Sequence, residues 1–397
     1  MISITSIPLT TSGIHFTSLP PLSLYIHIPW CVKKCPYCDF NSHEAKGVRP
    51  EKEYVAALIH DLEQAIPQIY GRRVHSVFFG GGTPSLLSAA ALDDILAAVR
   101  ALVRPEANAE ITLEANPGTF EADKFSAYAK SGINRLSIGI QSFNPVHLKA
   151  LGRIHDDNEA RRAIDIAKHN FDNFNLDIMY ALPNQTLAEA LQDIDTALSF
   201  KPPHLSAYHL TLEPNTLFYR HPPKLPDDDV AADMQQAIEK KLREAGYDNY
   251  ETSAFALADT RSKHNLNYWE FGDYLGIGAG AHSKISNKFN IFRMMRHKHP
   301  QNYMDTVARA EHVQEEHEVS RNELPFEFMM NALRLRDGFP VALFHERTSL
   351  PLSVMEKELR EAEARDLIVR DHVNIKPTEK GRLFLNDLLQ IFLREKN

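Results

Sequence analysis

Six times between Leu24 and Leu210, a short apolar run gives way to a stretch with helical spacing. Leu24 to Ile28, Val74 to Phe79, Ile111 to Ala115, Leu136 to Ile140, Phe174 to Met179 and His204 to Leu210 read as strands. Between the first two, Tyr54, Leu58, Leu62 and Ile66 recur every fourth residue, which marks a helix face. Ser88 is placed to cap the next helix, with Leu92, Ile95, Leu96 and Val99 on its inner side. Further helices carry Phe125 and Tyr128, then run from Asn158 to His169 and from Leu187 to Leu198. Buried strands that alternate with helices need crossover connections, and so a parallel sheet. Six units predict an α/β fold built on a partial (β/α)6 barrel, not a closed eight-fold one. In such barrels function gathers at the C-terminal strand ends.

After Glu213 the alternation stops. Pro214, Pro222, Pro223 and Pro226 mark a crossover, and Asp229 to Ala245 reads as a long helix ended by Gly246. Residues 247–300 read as irregular, rich in aromatics and glycine. The end of the chain has two helices, then Leu367-Ile368-Val369, a turn at Asp371-His372, Val373-Asn374-Ile375 and a last helix from Thr378. That is a helical winged-helix-like outline. The expected division is a flexible lead-in over 1–21, the barrel over 22–215, linking elements over 216–300 and the winged-helix-like domain over 301–397. At 397 residues the chain exceeds what one core usually supports. A hydrophobic content of 43% and a charged content of 24% are those of a globular chain. No window is apolar for long enough to span a membrane, while a peripheral membrane contact stays compatible with the sequence. Met1 to Pro21 lacks the charged start and long apolar run of a secretory signal. A net charge of -8 speaks against a generic nucleic-acid binder.

The only three cysteines, Cys31, Cys35 and Cys38, lie within eight residues just past the first strand. An odd, clustered set excludes an internally paired disulfide framework and predicts a reducing cytoplasm. Pro36 and the neighbouring lysines suit a binding loop better than a regular helix. Three thiolates fit a four-iron cluster that keeps one iron without a protein ligand, and so open to chemistry. Two alternatives stand beside it. His27 or His43 could complete a zinc site, and a redox pair would leave one cysteine unexplained.

Other candidates also fall at strand ends. Gly80-Gly81-Gly82-Thr83 follows the second strand, where glycines let backbone amides approach a ligand or simply make a tight turn. Glu114 ends the third strand and Gln141 the fourth, Arg153 follows twelve residues later, and Asp177 lies within the apolar fifth. A buried carboxylate needs a partner, so an ion pair across the mouth is the plain alternative to a ligand site. Together they offer an acid for an ammonium, an arginine for a carboxylate and polar groups for a ribose.

The cysteine loop resembles that of the radical S-adenosylmethionine (SAM) superfamily, whose pattern Cys31, Cys35 and Cys38 match residue for residue. The resemblance implies a [4Fe-4S] cluster, SAM, and methionine-amine binding by Gly81, Gly82 and Thr83. A closer resemblance is to the oxygen-independent coproporphyrinogen oxidase family. It rests on Tyr25, His27, the cysteines, Gly81, Gly82, Thr83, Glu114, Gln141, Arg153 and Asp177, and on the C-terminal outline. It implies that Tyr25 joins these others in binding SAM. Phe40 departs from that family, which carries a further cysteine there, as does the shorter start of this chain. Both departures mark the HemW branch, described as haem chaperones and not decarboxylases. The implied function is to bind haem and hand it to an acceptor protein, without oxidising coproporphyrinogen III. Radical decarboxylation of coproporphyrinogen III and a DNA-contacting regulator are the competing readings. The branch's second signature is matched by His264-Asn265-Leu266-Asn267-Tyr268-Trp269. Read alone, this hexapeptide favours a polar aromatic loop packed under the barrel. The resemblance makes His264 the candidate axial ligand, with Tyr268 and Trp269 against the haem ring and Gly276 to Gly280 leaving room beside it. His282 and His299 come next. His297 and His299, with Arg293 and Arg296, read best as a solvated basic loop.

Overall fold

The computed structural model describes residues 14–394, except Lys46, Tyr70 and Phe120. Strands β1 (Leu22–Ile28), β2 (Val74–Gly81), β3 (Glu110–Ala115), β4 (Arg135–Gln141), β5 (Phe174–Tyr180) and β6 (His204–His209) lie side by side in chain order. Each neighbouring pair is parallel. Helices α1 (Glu51–Ala65), α2 (Ala89–Leu102), α3 (Ala122–Ser131), α4 (Asp157–Asn170), α5 (Leu187–Ser199) and α6 (Asp228–Glu244) follow the strands in turn. Ser88 caps α2 as expected, accepting the Ala91 amide. Capping boxes start α4 (Asp156 with Glu159) and α5 (Thr186 with Glu189).

Alternation along the strands sets two different environments. Leu24, Ile26, Val77, Phe79, Leu113, Ile138 and Leu176 face the helices and form the main core. The other strand face carries Ser23, Ser76, Ser137, Asn175 and Ser206, all buried. These bond across neighbouring strands: Ser76 to Ser23 at 2.7 Å, Asn175 to Ser137 at 2.8 Å and Ser206 to Asn175 at 3.1 Å. The barrel interior is therefore polar and internally paired.

Residues 216–300 are not merely linking. β7 (Ala254–Ala256) pairs antiparallel with β6 and with Asp248–Asn249. At the opposite edge β8 (Asp273–Ile277) adds parallel to β1. Antiparallel β9 (His282–Ser286), β10 (Ile291–Arg296) and β11 (Val313–Glu318) complete a 12-stranded sheet. The pattern was illegible because charged residues occupy buried strand positions. Lys284 pairs with Asp273 at 2.9 Å, and Arg72 reaches the same carboxylate at 2.7 Å. Arg296, expected in a solvated loop, is 1% exposed and pairs with Asp61 of α1 at 3.0 Å. Burial would raise the Asp61 carboxyl, but Arg296 and His312 outweigh it and hold it down at about 2. These buried pairs fasten the added strands to the barrel.

The described part of the lead-in is also tied down. Ile14 and Phe16 are buried in the C-terminal core, and the Phe16 amide donates to the Lys288 carbonyl. Residues 1–13 lie outside the described residues. The C-terminal unit has helices Leu324–Ala332, Val341–Thr348 and Glu356–Ala364 with a three-stranded sheet of Phe339–Pro340, Asn374–Pro377 and Ile368–Arg370. It has a core of its own around Phe328, Phe344, Leu359 and Leu388. Residues 301–318 belong instead to the barrel side, since Val313–Glu318 ends the large sheet. Among the described residues no helix is long and apolar enough to cross a membrane.

Candidate functional site

β1 ends at Ile28, and Pro29 releases the chain into the cysteine loop. The loop's two ends are clasped by a short parallel pairing of Trp30–Cys31 with His43–Glu44. Its middle is pinned where the Phe218 amide donates to the Pro36 carbonyl at 2.9 Å. Between those points the chain is non-helical, as Pro36 predicts. Cys31 is buried, while Cys35 and Cys38 are half-buried, and all three are free thiols. Burial raises the Cys31 and Cys38 thiols, so a ligand that takes thiolates must supply the compensating charge.

The glycine turn packs directly beneath. The amides of Gly82 and Thr83 donate to the Ile28 and Trp30 carbonyls at 2.7 and 2.8 Å. Gly81 has φ +112°, and a Cβ there would sit 2.5 Å from the His27 ring. A Cβ on Gly82 would sit 2.6 Å from the Trp30 carbonyl oxygen. Only glycine fits at either place, which explains the run.

Glu114 accepts the Gly81 amide at 3.2 Å. Burial, then the nearby Asp177 charge, push its carboxyl up to about 8. Burial also raises Asp177, offset in part by bonds from Asn175 and Ser137 at 2.7 and 3.1 Å. Gln141 has φ +71°, unusual for a non-glycine residue, at the register shift that ends β4. Arg153 spans the site. It donates to Asn116 Oδ1 and the Gly139 carbonyl at 2.6 Å each, and lies 3.7 Å from Cys35 Sγ.

One cavity of about 160 Å³ is lined by Cys31, Cys35, Cys38, Gly81, Gly82, Thr83, Glu114, Gln141, Arg153 and Asp177 together. Tyr25 is the exception among the expected SAM residues. Its hydroxyl bonds His27 Nδ1 at 3.0 Å, and it lines a neighbouring cavity. The zinc alternative loses His27, whose Nε2 is occupied by the Asn41 carbonyl at 2.8 Å. The residues present fit an iron–sulfur cluster: three thiols converge on one cavity, with a guanidinium beside the middle one. Asn116, Ser137 and Tyr37 also line this cavity and were not singled out by sequence. Asn116 joins Thr83 Oγ1, at 2.9 Å, to Arg153. Its place just past β3, before Pro117-Gly118, was the available signal.

The structure separates Trp269 from the other two haem candidates. His264 sits on α7 (Lys263–Trp269), 4% exposed, with its ring stacked on Phe78 at 4.8 Å and Nδ1 3.1 Å from Ser76 Oγ. Burial, then His75 and Arg135, lower its imidazole to about 3. Tyr268 faces the second cavity and stacks on Tyr274 at 4.1 Å. Trp269 packs on the C-terminal core under Arg334. His264 and Tyr268, one turn apart, lie on one face with ring centroids 5.6 Å apart, while Trp269 points away from both. The glycine run is closely packed, since a Cβ on Gly280 would lie 2.3 Å from Asn41 and one on Gly278 2.5 Å from the His27 carbonyl oxygen, and Gly280 lines the second cavity.

Known proteins share both the sequence and the fold of this chain. Residues 25–197 match the radical SAM superfamily, and residues 319–384 the HemN C-terminal domain. A protein named heme chaperone HemW from Haemophilus influenzae is 49% identical over 384 residues, covering 95% of this chain and 99% of the relative. The heme chaperone HemW of Bacillus subtilis is 34% identical over 381 residues, covering 94% and 99%. The solved structure of coproporphyrinogen III oxidase (HemN) from Escherichia coli, described as a radical SAM enzyme, superposes with a TM-score of 0.80 at 24% identity. That match covers 94% of this chain and 90% of HemN, and shows a shared fold.

Proposed function

The chain belongs to the HemW family, and from that premise we propose that it is a haem chaperone, which binds haem and passes it to an acceptor protein. The observation that carries the cofactor part of this reading is the single cavity into which all three thiols, the glycine turn, Glu114 and Arg153 converge. Cys31, Cys35 and Cys38 would hold a [4Fe-4S] cluster, which supplies an iron position left open for SAM. Around it this chain's own groups divide the recognition. The turn at Gly81 and Gly82 lets a ligand approach the backbone, Glu114 accepts an ammonium, and Arg153 offers a guanidinium to a carboxylate. Gln141, Asp177 and Ser137 present polar groups for a ribose. A thiolate-held cluster asks for a reducing compartment, so we place the protein in the cytoplasm.

No observation favours a DNA-binding regulator. The helix that a winged-helix protein would lay in a groove, Glu356–Ala364, carries Glu356, Glu358, Glu361 and Glu363 against Lys357 and Arg360. The chaperone reading is tested by anaerobic reconstitution with iron and sulfide, then titration with haem and with SAM. Binding of both, with haem transfer to an apo-globin and no protoporphyrinogen formed from coproporphyrinogen III, is expected. Failure of the reconstituted protein to bind haem overturns it.

A further inference from the structure

Beside the cysteine loop lies a second cavity of about 630 Å³, within the roughly 300–1,000 Å³ of small-molecule sites. It shares Phe40, Gly81 and Glu114 with the first cavity, so the two are continuous at the barrel mouth. Its walls carry aromatic rings, cations and imidazoles, beside the Asp39 and Glu114 carboxylates. Tyr25 and Tyr268 bring aromatic rings from the barrel interior, and Phe40 stands at the rim, 59% exposed. Lys34 and Lys298 are the cations on its wall. Its imidazoles are those of His27, His43 and His282. A flat apolar macrocycle with two carboxylates and a central iron needs aromatic rings, cations and an imidazole.

The imidazoles are not equivalent. Both nitrogens of His27 are engaged, one by the Tyr25 hydroxyl and one by the Asn41 carbonyl. His43 Nε2 lies 3.3 Å from the Lys298 carbonyl, and its ring abuts His299 at 5.6 Å. His282 is exposed at the start of β9, and its side chain has no hydrogen-bond or ion-pair partner among the described residues. Burial, then Lys298 and Arg293, lower its imidazole, which keeps it neutral and able to bind a metal at pH 7. The crowded glycine run now has a purpose. The close approach of Gly280 to Asn41, and the bonds from Asn41 Nδ2 to the Ala279 and Lys298 carbonyls at 2.9 Å each, set His282 and Lys298 against the cysteine loop.

We propose that haem occupies this second cavity, with His282 as its axial iron ligand, Lys34 and Lys298 facing its propionates, and Tyr25, Tyr268 and Phe40 against the ring. This rests on the chaperone reading above and gives it a place and a ligand. The cargo would then lie alongside the cluster cavity, and the acceptor protein would take it from the same open face.

The test uses the full chain, anaerobically reconstituted and titrated with haem, as wild type, His282→Ala, His264→Ala and Lys298→Glu. His282→Ala should move the Soret band and speed haem loss to an apo-globin at least tenfold, while iron and sulfide content stay at the wild-type level. Added imidazole should restore its spectrum, which a merely structural role of His282 would not allow. Lys298→Glu should weaken binding several-fold without moving the band. His264→Ala should leave the band in place. If wild type binds haem and His282→Ala keeps its spectrum and off-rate, the proposed site is wrong and the chaperone reading stands. A band shift in His264→Ala alone would return the ligand to the barrel floor. If wild type binds no haem, both fall.

Discussion

Glu110 and Glu114 lie on the same strand, four residues apart, and so on the same face of it. Glu110, at the floor of the barrel, accepts from the Ser262 hydroxyl at 3.3 Å and the Lys263 and His264 amides at 3.2 Å each. It also lies 3.8 Å from buried Arg135. It closes the N-terminus of α7, where a carboxylate is favoured by the helix's free amides. Glu114, at the mouth, has the Gly81 amide as its one hydrogen bond among the described residues, and its carboxyl is pushed up to about 8. One carboxylate is satisfied by the protein and holds a plug in place. The other is left short of partners and faces a cavity. The same contrast separates the histidines: His264 is enclosed at the floor, while His282 is open at the mouth. Residue type does not distinguish structure from function in this barrel. Position along the strand does.

Four experiments strain that contrast, the first being the most drastic. Cys35→Ala should abolish the reconstituted four-iron cluster while far-ultraviolet dichroism stays that of wild type, because the half-buried Cys35 is no part of the core. Iron and sulfide analysis decides, and a full cluster in the variant would remove Cys35 from the ligand set. Glu110→Ala should then cost about 3–5 kcal/mol of stability, since it leaves Arg135 buried without its partner and strips the start of α7. Urea unfolding measures this, and cluster content in the folded fraction should be unchanged. A loss below about 1 kcal/mol would mean that the floor is not held as described.

Arg153→Ala comes next. Losing a charge-assisted partner for a carboxylate should weaken SAM by roughly 1.5–3 kcal/mol, or about 10- to 150-fold, by calorimetry on the reconstituted protein. Unchanged affinity would confine Arg153 to holding Asn116 and the Cys35 side of the loop. The smallest effect is in pH. With its carboxyl at about 8, Glu114 is mostly protonated at pH 7, and a bound ammonium needs it charged. Binding should therefore release up to about one proton at pH 7, and the Glu114 contribution to affinity should grow about fivefold between pH 7 and 8 and then level off. Glu114→Gln should remove that release, and equal proton release in both proteins would assign the titration elsewhere.

Much of this was present in the chain itself. The six strand signals, the helix cap at Ser88, and the cysteine and glycine turns are local effects of backbone conformation and side-chain period, so neighbouring residues declare them. The mouth residues could be read for a related reason, since a partial barrel gathers its strand ends whatever the loops contain. The long-range charges could not be read. Lys284, Arg293 and Arg296 look like solvent residues until Asp273, Glu327 and Asp61 arrive from distant segments, and only then do the strands within 273–296 and 313–318 form. His264 and His282 show the same limit. Both stand in aromatic or glycine-rich surroundings in sequence. What closes over one imidazole and leaves the other open is the packing of strands that are far apart in the chain.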